Sequence, residues 1–261
     1  MNRCGPLSTE RAAVPAFASE DDYVARFEFD GGIDPLLRVS LEPGEKIAAE
    51  SGSMVAMDRS LSLKGKMKGG FFRSLARKVL NDETFFQQWI EAEKEPGEAL
   101  LAPNLPGDLR VLKVGERQYR LSDGAFLAAT EGVEITTKMQ SIGRALLAES
   151  GGLFIMSTSG EGEVVVSGFG SIRELDVSRD RPILVDNGHL VAWDQALDYE
   201  LTLNTSRSGL IGKLVQSQLS GEGIVLKFKG EGKVYVCSRS KTGFLDWLSG
   251  SNEESKAPKN E

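Results

Sequence analysis

Hydrophobic and polar positions alternate along most of this chain. The runs "RFEFDG" from Arg26, "LSLKGK" from Leu61, "VEITTK" from Val133, "DYELTL" from Asp198 and "IVLKFKG" from Ile224 place apolar side chains at every second residue. A period of two puts those side chains on one face of an extended strand. Between the runs stand turn residues: Pro96-Gly97, Pro106-Gly107, and Gly-Glu-Gly at 160–162, 221–223 and 230–232. Short alternating runs broken by such residues predict antiparallel β structure. One stretch departs from this period. In "GGFFRSLARKVL" (69–80), Phe71, Phe72, Leu75 and Val79 recur at helical spacing, with Arg73, Arg77 and Lys78 off that stripe. A short amphipathic helix is predicted there.

The alternation itself repeats. "SGSMVAMD" (51–58), "DGAFLAAT" (123–130) and "NGHLVAWD" (187–194) align on Gly52, Gly124 and Gly188, and Ala56, Ala128 and Ala192 follow four residues later. The glycines are 72 and 64 residues apart. Nine residues after each Gly a second run begins, at Leu61, Val133 and Leu197. An insert follows (69–80, 141–150, 208–218), then a third run ("TFFQQWIEA", "GLFIMSTSG", "GIVLKFKG"). A fourth run ("PGEALLAP", "GEVVVSG", "GKVYVCS") closes each unit after a tight turn. Three copies of one four-stranded unit predict an all-β single domain with short helical inserts. The expected body is a closed β-prism or barrel of approximate threefold internal symmetry, each copy burying its apolar face against the other two. Its boundaries are expected at 21–248, with units at about 38–103, 109–168 and 172–238. Residues 1–20 read as a flexible leader and 249–261 as a polar tail.

The blocks "ESGSMVAMD", "APNLPGDLRVL", "DGAFLAA", "SGEGEVVVSGFGSI", "VDNGHLVAWD" and "LSGEGIVLKFKGEGKVYVCSRS" resemble, in order, the AIM24 family of TRAP-like β-prism proteins, over roughly residues 24–240. The resemblance implies a triplicated β fold, shared in outline with a tryptophan-dependent RNA-binding attenuation protein. It also implies a protein of unassigned activity, since the family spans such bacterial and archaeal members and a fungal mitochondrial inner-membrane protein linked to cristae organisation. No catalytic residue set comes with these motifs.

Candidate chemistry is sparse. His189, the only histidine, falls in a variable slot that Ser53 and Ala125 fill in the other units, so it reads as a hydrogen-bonding or exposed turn residue. The sharper alternative is a general base or a pH switch near neutrality. Asp58 and Asp194 share one repeat position, with Thr130 in the third unit, and read as turn and strand-end caps. An enzyme using Asp58, Asp194 or His189 would need them to converge in one pocket. Cys4 and Cys237 are the only cysteines, so a reducing compartment is the default and no structural disulfide is expected. With one His and two distant Cys, no zinc site of the usual type is expected. The Gly-Glu-Gly steps lack a P-loop or a following helix and read as hairpin turns. No catalytic, cofactor-binding or metal-binding residue is assigned, and no cofactor.

Charge changes the picture in one place. The chain holds 31 basic and 38 acidic residues, a net −7, which opposes wholesale nucleic-acid binding. Yet residues 63–80 hold Lys64, Lys66, Lys68, Arg73, Arg77 and Lys78 and no acid. Two readings stand: an apolar plug with solvated charges outside, or contact with an anionic membrane surface, with Phe71 and Phe72 inserting. If the symmetry holds, all three inserts share one end. The function read here is non-enzymatic binding or scaffolding, with a homo-oligomer and a membrane or protein partner expected. A small-molecule or RNA-binding module is the alternative. The location expected is cytoplasmic, peripheral to a membrane, or mitochondrial for a eukaryotic source.

Overall fold

The structure, a computed structural model, describes residues 25–65, 87–139, 154–202 and 225–249. A leading strand, β1 (Arg26–Asp30), precedes three repeats. The first contains β2 (Leu36–Leu41), β3 (Lys46–Glu50), β4 (Met54–Met57), β5 (Leu61–Gly65), β6 (Gln87–Ala92) and β7 (Gly97–Leu101). The second contains β8 (Gly107–Val114), β9 (Tyr119–Ser122), β10 (Phe126–Thr130), β11 (Val133–Met139), β12 (Phe154–Gly160) and β13 (Gly162–Phe169). The third contains β14 (Ile172–Val177), β15 (Ile183–Asp186), β16 (Leu190–Asp194), β17 (Asp198–Thr202), β18 (Val225–Lys229) and β19 (Gly232–Cys237). A single 3-10 turn, Asn187–His189, joins β15 to β16, and helix α1 (Lys241–Leu248) follows β19.

Among the described residues each repeat thus has six strands rather than four. The two additional strands precede the turn glycine, as in "LRVSLEPGEKIAAE" and "LRVLKVGERQYRLS". Their apolar alternation is clear, but the turns between them differ in every copy, which hides the repeat.

The pairing follows one rule throughout. Within a repeat, the first, sixth and third strands form one sheet, and the fourth, fifth and second form another. The second strand of one repeat then pairs with the third strand of the next: β3 with β10, Ala49 opposite Ala128, and β9 with β16, Leu121 opposite Ala192. The described strands form four sheets: I (β1-β2-β7-β4), II (β5-β6-β3-β10-β13-β8), III (β11-β12-β9-β16-β19-β14) and IV (β15-β18-β17).

Three apolar clusters bind these sheets in sequence. Leu37, Val39 and Leu101 of sheet I meet Ile47, Ile90 and Leu127 of sheet II. Phe126, Val164 and Val166 of sheet II meet Leu121, Met156 and Tyr235 of sheet III. Trp193 and Val234 of sheet III meet Leu226 and Phe228 of sheet IV. Sheets II and III therefore bury both faces. This is why β10 and β16 are buried at every position, whereas β2 alternates. All three third strands carry a bulge at the same place, Val55, Leu127 and Val191. In β10 the extra residue turns Leu127 and Ala128 together toward sheet I, while Phe126 and Ala129 face sheet III.

Among the described strands the expected closure does not occur. The sheet rule would close the body if β4 paired with β15, yet each of them ends its sheet. The first and third repeats are joined through the second, and not each copy to both others. Alternation along a strand specifies which face is buried; it does not specify whether the first and last edges meet.

The three inserts (69–80, 141–150, 208–218) lie outside the described residues, as do 1–20 and 250–261. Their points of departure are described. Gly65 pairs with Gln88, Met139 with Phe154 and Thr202 with Val225. In each repeat the residue before the glycine turn lies in the same rows: Glu50 opposite Gln87, Ser122 opposite Ile155, Asp186 opposite Val225. Because β3 and β9 run antiparallel to β10 and β16, all three turns, and so all three insert departures, share one end.

Candidate functional site

The repeat position of Asp58, Thr130 and Asp194 is a cap at the end opposite the glycine turns. Asp58 Oδ2 accepts the Glu98 N–H at 2.8 Å, Thr130 Oγ1 the Glu163 N–H at 2.9 Å, and Asp194 Oδ2 the Lys233 N–H at 2.9 Å. Each cap holds its own repeat's sixth strand against its third. Asp194 is buried, and the loss of solvent raises its pKa, a shift partly opposed by the Lys233 N–H. His189 sits in the 3-10 turn, and its Nδ1 lies 2.8 Å from the Cys237 carbonyl. A carbonyl only accepts, so Nδ1 carries the proton and its N–H donates. Asp58, Asp194 and His189 do not converge: each serves its own backbone partner, and none lines the cavity described next.

That cavity, of about 370 Å³, opens at the glycine-turn end between sheets II and III. All three repeats reach it. Glu50 comes from the end of β3, Asp123, Gly124 and Ala125 from the second turn, Ser167 to Phe169 from β13, and Leu190, Val191 and Cys237 from the third repeat. Arg239 and Lys241 arrive from the segment entering α1. This segment is fixed by packing: Phe244 meets Phe169 edge-on at 5.3 Å, and the Arg239 guanidinium lies 5.9 Å from the Phe169 ring. Ser240 caps the helix by accepting the Gly243 N–H at 3.3 Å.

The electrostatics of the cavity centre on Glu50. Burial, and then the nearby Asp123, push its carboxyl up to about 7, while Lys241 pulls the other way. Cys237 is a buried free thiol, raised by burial, and its Sγ donates to the Arg239 carbonyl at 3.2 Å. With Glu50, Asp123, Arg239 and Lys241 all in its lining, the cavity can hold a small polar or zwitterionic group. Among the described residues no cluster of His, Cys, Asp and Glu could hold a metal.

Of the residues singled out from sequence, Gly52 and Gly124 form turns with φ of +87° and +71°, as their role required. Gly188 instead occupies the 3-10 turn, where a Cβ would lie 2.6 Å from Ser240 Oγ. Lys64 is exposed on β5 and paired with Glu91 at 2.8 Å and Glu93 at 2.7 Å. Lys66, Lys68, Phe71, Phe72, Arg73, Arg77 and Lys78 lie outside the described residues. Sequence reading missed Glu50, Arg239 and Lys241. One signal was present: a polar residue, Glu50, Ser122 or Asp186, precedes the turn in every copy. Among the described residues no helix is long and apolar enough to cross a membrane.

Comparison with known proteins places this geometry. The family described as "Mitochondrial biogenesis AIM24" matches residues 27–239. An uncharacterized protein of Streptococcus pyogenes serotype M6 is 34% identical over 234 residues, covering 87% of this chain and 91% of its own length. The X-ray crystal structure of protein SPYM3_0169 from Streptococcus pyogenes superposes with a TM-score of 0.72 at 33% identity, over 87% of this chain and 99% of that one. Family match, relative and solved structure all span the three repeats, and the chain belongs to the AIM24 family.

Proposed function

We propose that this protein is a non-enzymatic binding or scaffold protein that works through its glycine-turn end, meeting an anionic membrane surface with the basic insert of the first repeat. The supporting observation is one of placement. The three turns, the cavity and the departures of all three inserts lie at the same end. The insert leaving at Gly65 carries Lys66, Lys68, Arg73, Arg77 and Lys78. Each basic residue close to an anionic leaflet contributes about 1 kcal/mol, and Phe71 and Phe72 add shallow insertion. Lys64 contributes less, because Glu91 and Glu93 already hold its ammonium.

The test is flotation of the purified chain with neutral and anionic vesicles across a salt series, beside the variant Arg73→Glu, Arg77→Glu, Lys78→Glu with its fold checked by circular dichroism. Salt-sensitive binding to anionic vesicles, lost in the folded variant, supports the reading. No binding, or equal binding by both, overturns it.

A second reading, a small-molecule site, is favoured by the cavity itself, whose volume falls in the range of ligand pockets. A fragment screen by NMR would show shifts at Gly124, Val191 and Arg239, lost in Glu50→Ala. Shifts elsewhere, or none, would discard it. The RNA reading gains nothing from Trp89, which packs against the core under Lys46, whose ammonium lies 5.4 Å from the ring.

A further inference from the structure

We propose that the small molecule taken by the cavity at the glycine-turn end is an organic carboxylate with an apolar body, its carboxylate held by Arg239 and Lys241 and its body against Leu190 and Val191; this rests on the small-molecule reading of that cavity. The cavity traces to one difference between the repeats. The residue after the turn glycine is Ser53, Ala125 or His189. In the third repeat the His189 ring bonds to the end of β19, its Nδ1–H reaching the Cys237 carbonyl at 2.8 Å. Phe126 opposite Val166 and Leu190 opposite Val236 put Ser167 of β13 where β19 has Cys237. Ala125 has no ring to lay there, and Ser167, Gly168 and Phe169 line the cavity.

The lining is graded. Ala125, Leu190 and Val191 are buried, whereas Asp123, Arg239 and Lys241 are exposed and Glu50 is half-buried. The buried Ser167 hydroxyl is used within the protein, donating to the Gly124 carbonyl at 3.5 Å. Apolar groups inside and charges at the rim suit a molecule with one charged end. The cations at that rim are available. Among the described residues neither Arg239 nor Lys241 makes an ion pair, although Glu50 and Asp123 line the same cavity. Arg239 is also held in place. Its guanidinium lies 5.9 Å from the Phe169 ring, and its backbone N–H donates to the Phe169 carbonyl at 3.1 Å. A guanidinium positioned in advance loses little freedom when its planar fork takes a carboxylate.

Glu50 decides between an acid and an amine. Burial and the nearby Asp123 favour its neutral form, and Lys241 opposes them. Its neighbours on β6, Gln87 and Gln88, are uncharged. A neutral carboxyl donates a hydrogen bond to a carboxylate and offers no charge to an ammonium. With Glu50 protonated, the Asp123 carboxylate alone faces the two cations Arg239 and Lys241, so the rim is positive. A bound carboxylate therefore holds the Glu50 proton in place, and binding weakens when that proton leaves.

NMR titration of the full chain with propionate, isovalerate and phenylacetate, beside propylamine, isoamylamine, phenethylamine and leucine, tests this. At pH 6 the acids should shift the amides of Ala125, Val191 and Arg239, and the amines should not. Their affinity should fall about tenfold from pH 6 to pH 8 as Glu50 ionises near 7. Glu50→Gln keeps a donor and should bind them equally at both pH values. Arg239→Gln should weaken binding about tenfold or more at pH 6. Ala125→His, which gives the second repeat the third repeat's residue, should abolish it, with the fold checked by circular dichroism. Amines or leucine binding in place of the acids would overturn the carboxylate and leave a small-molecule site. So would acid binding that Arg239→Gln and Ala125→His both leave unchanged. No shift from any of these probes or from the fragment screen would overturn the small-molecule reading as well.

Discussion

The Thr130 hydroxyl accepts the Glu163 N–H at 2.9 Å, the same bond that the Asp58 and Asp194 carboxylates make to Glu98 and Lys233 in the flanking repeats. A hydroxyl and a carboxylate are interchangeable here because only an acceptor is needed. In the second and third repeats the glycine that starts the sixth strand follows from the same contact, whereas a Cβ on Gly97 in the first would meet Ser60 and Leu61 instead. A Cβ on Gly162 would collide with Thr130 Oγ1, and one on Gly232 would lie 2.8 Å from Asp194 Oδ2. Thr130→Val keeps the shape and removes the acceptor, leaving a part-buried N–H without that bond. We expect a loss of about 1–3 kcal/mol in chemical denaturation. Thr130→Ser should lose much less. Equal losses would show that packing, not the bond, matters at this position.

Glu50 makes stability depend on pH. Its carboxyl is raised from 4.5 to about 7 in the folded state by burial and Asp123. The folded chain therefore binds the extra proton between those values. The contribution of this carboxyl to stability is greatest below this window, falls as pH rises through it, and levels off above, by on the order of 2–3 kcal/mol in total once screening by solvent is allowed for. Glu50→Gln should flatten this slope and make the protein more stable than the parent at pH 8. Denaturation midpoints at pH 5 and pH 8 decide it; an unchanged slope would mean that Glu50 does not titrate in this range.

The bulge position offers one mutation in two environments. Leu127 is fully buried between sheets I and II, whereas Val55 stands on the open edge. Leu127→Ala should cost about 2–5 kcal/mol, and Val55→Ala less than about 0.5 kcal/mol for a single copy in dilute solution. A Val55→Ala loss as large as that of Leu127→Ala would mean that Val55 is covered in solution.

The three turn glycines are required for two different reasons. Gly124 has positive φ and open space where a Cβ would point, so Gly124→Ala is expected to cost about 1 kcal/mol through backbone strain alone. Gly188 has no such backbone need; its Cβ would press on Ser240 Oγ, which caps α1. Gly188→Ala should therefore loosen α1. Faster hydrogen exchange at Phe244 and Leu245, with a small change in global stability, is the expected signature. Unchanged exchange there would mean that Ser240 simply rotates away.

Much of the fold was legible because its information is local. Alternation and turn glycines specify strands, and the repeated Gly-to-Ala spacing identified three copies before any contact was known. The caps at Asp58 and Asp194 and the turn role of His189 followed from their places in that repeat. Glu50, Arg239 and Lys241 were not legible as a set. They are far apart in sequence and meet only because β3, β13 and β19 end side by side.

The amino-acid sequence by itself determined the β strands, their threefold repetition and the family, since each rests on periodicity and on residues close in the chain. Only the tertiary structure decided that each repeat has six strands, that a cavity forms at the shared turn end, and that the body stays open between β4 and β15. Those features depend on how sheets stack and where edges meet. Hydrogen bonding along an edge uses the backbone, which is the same at every residue, so the side-chain pattern cannot say which edge finds a partner.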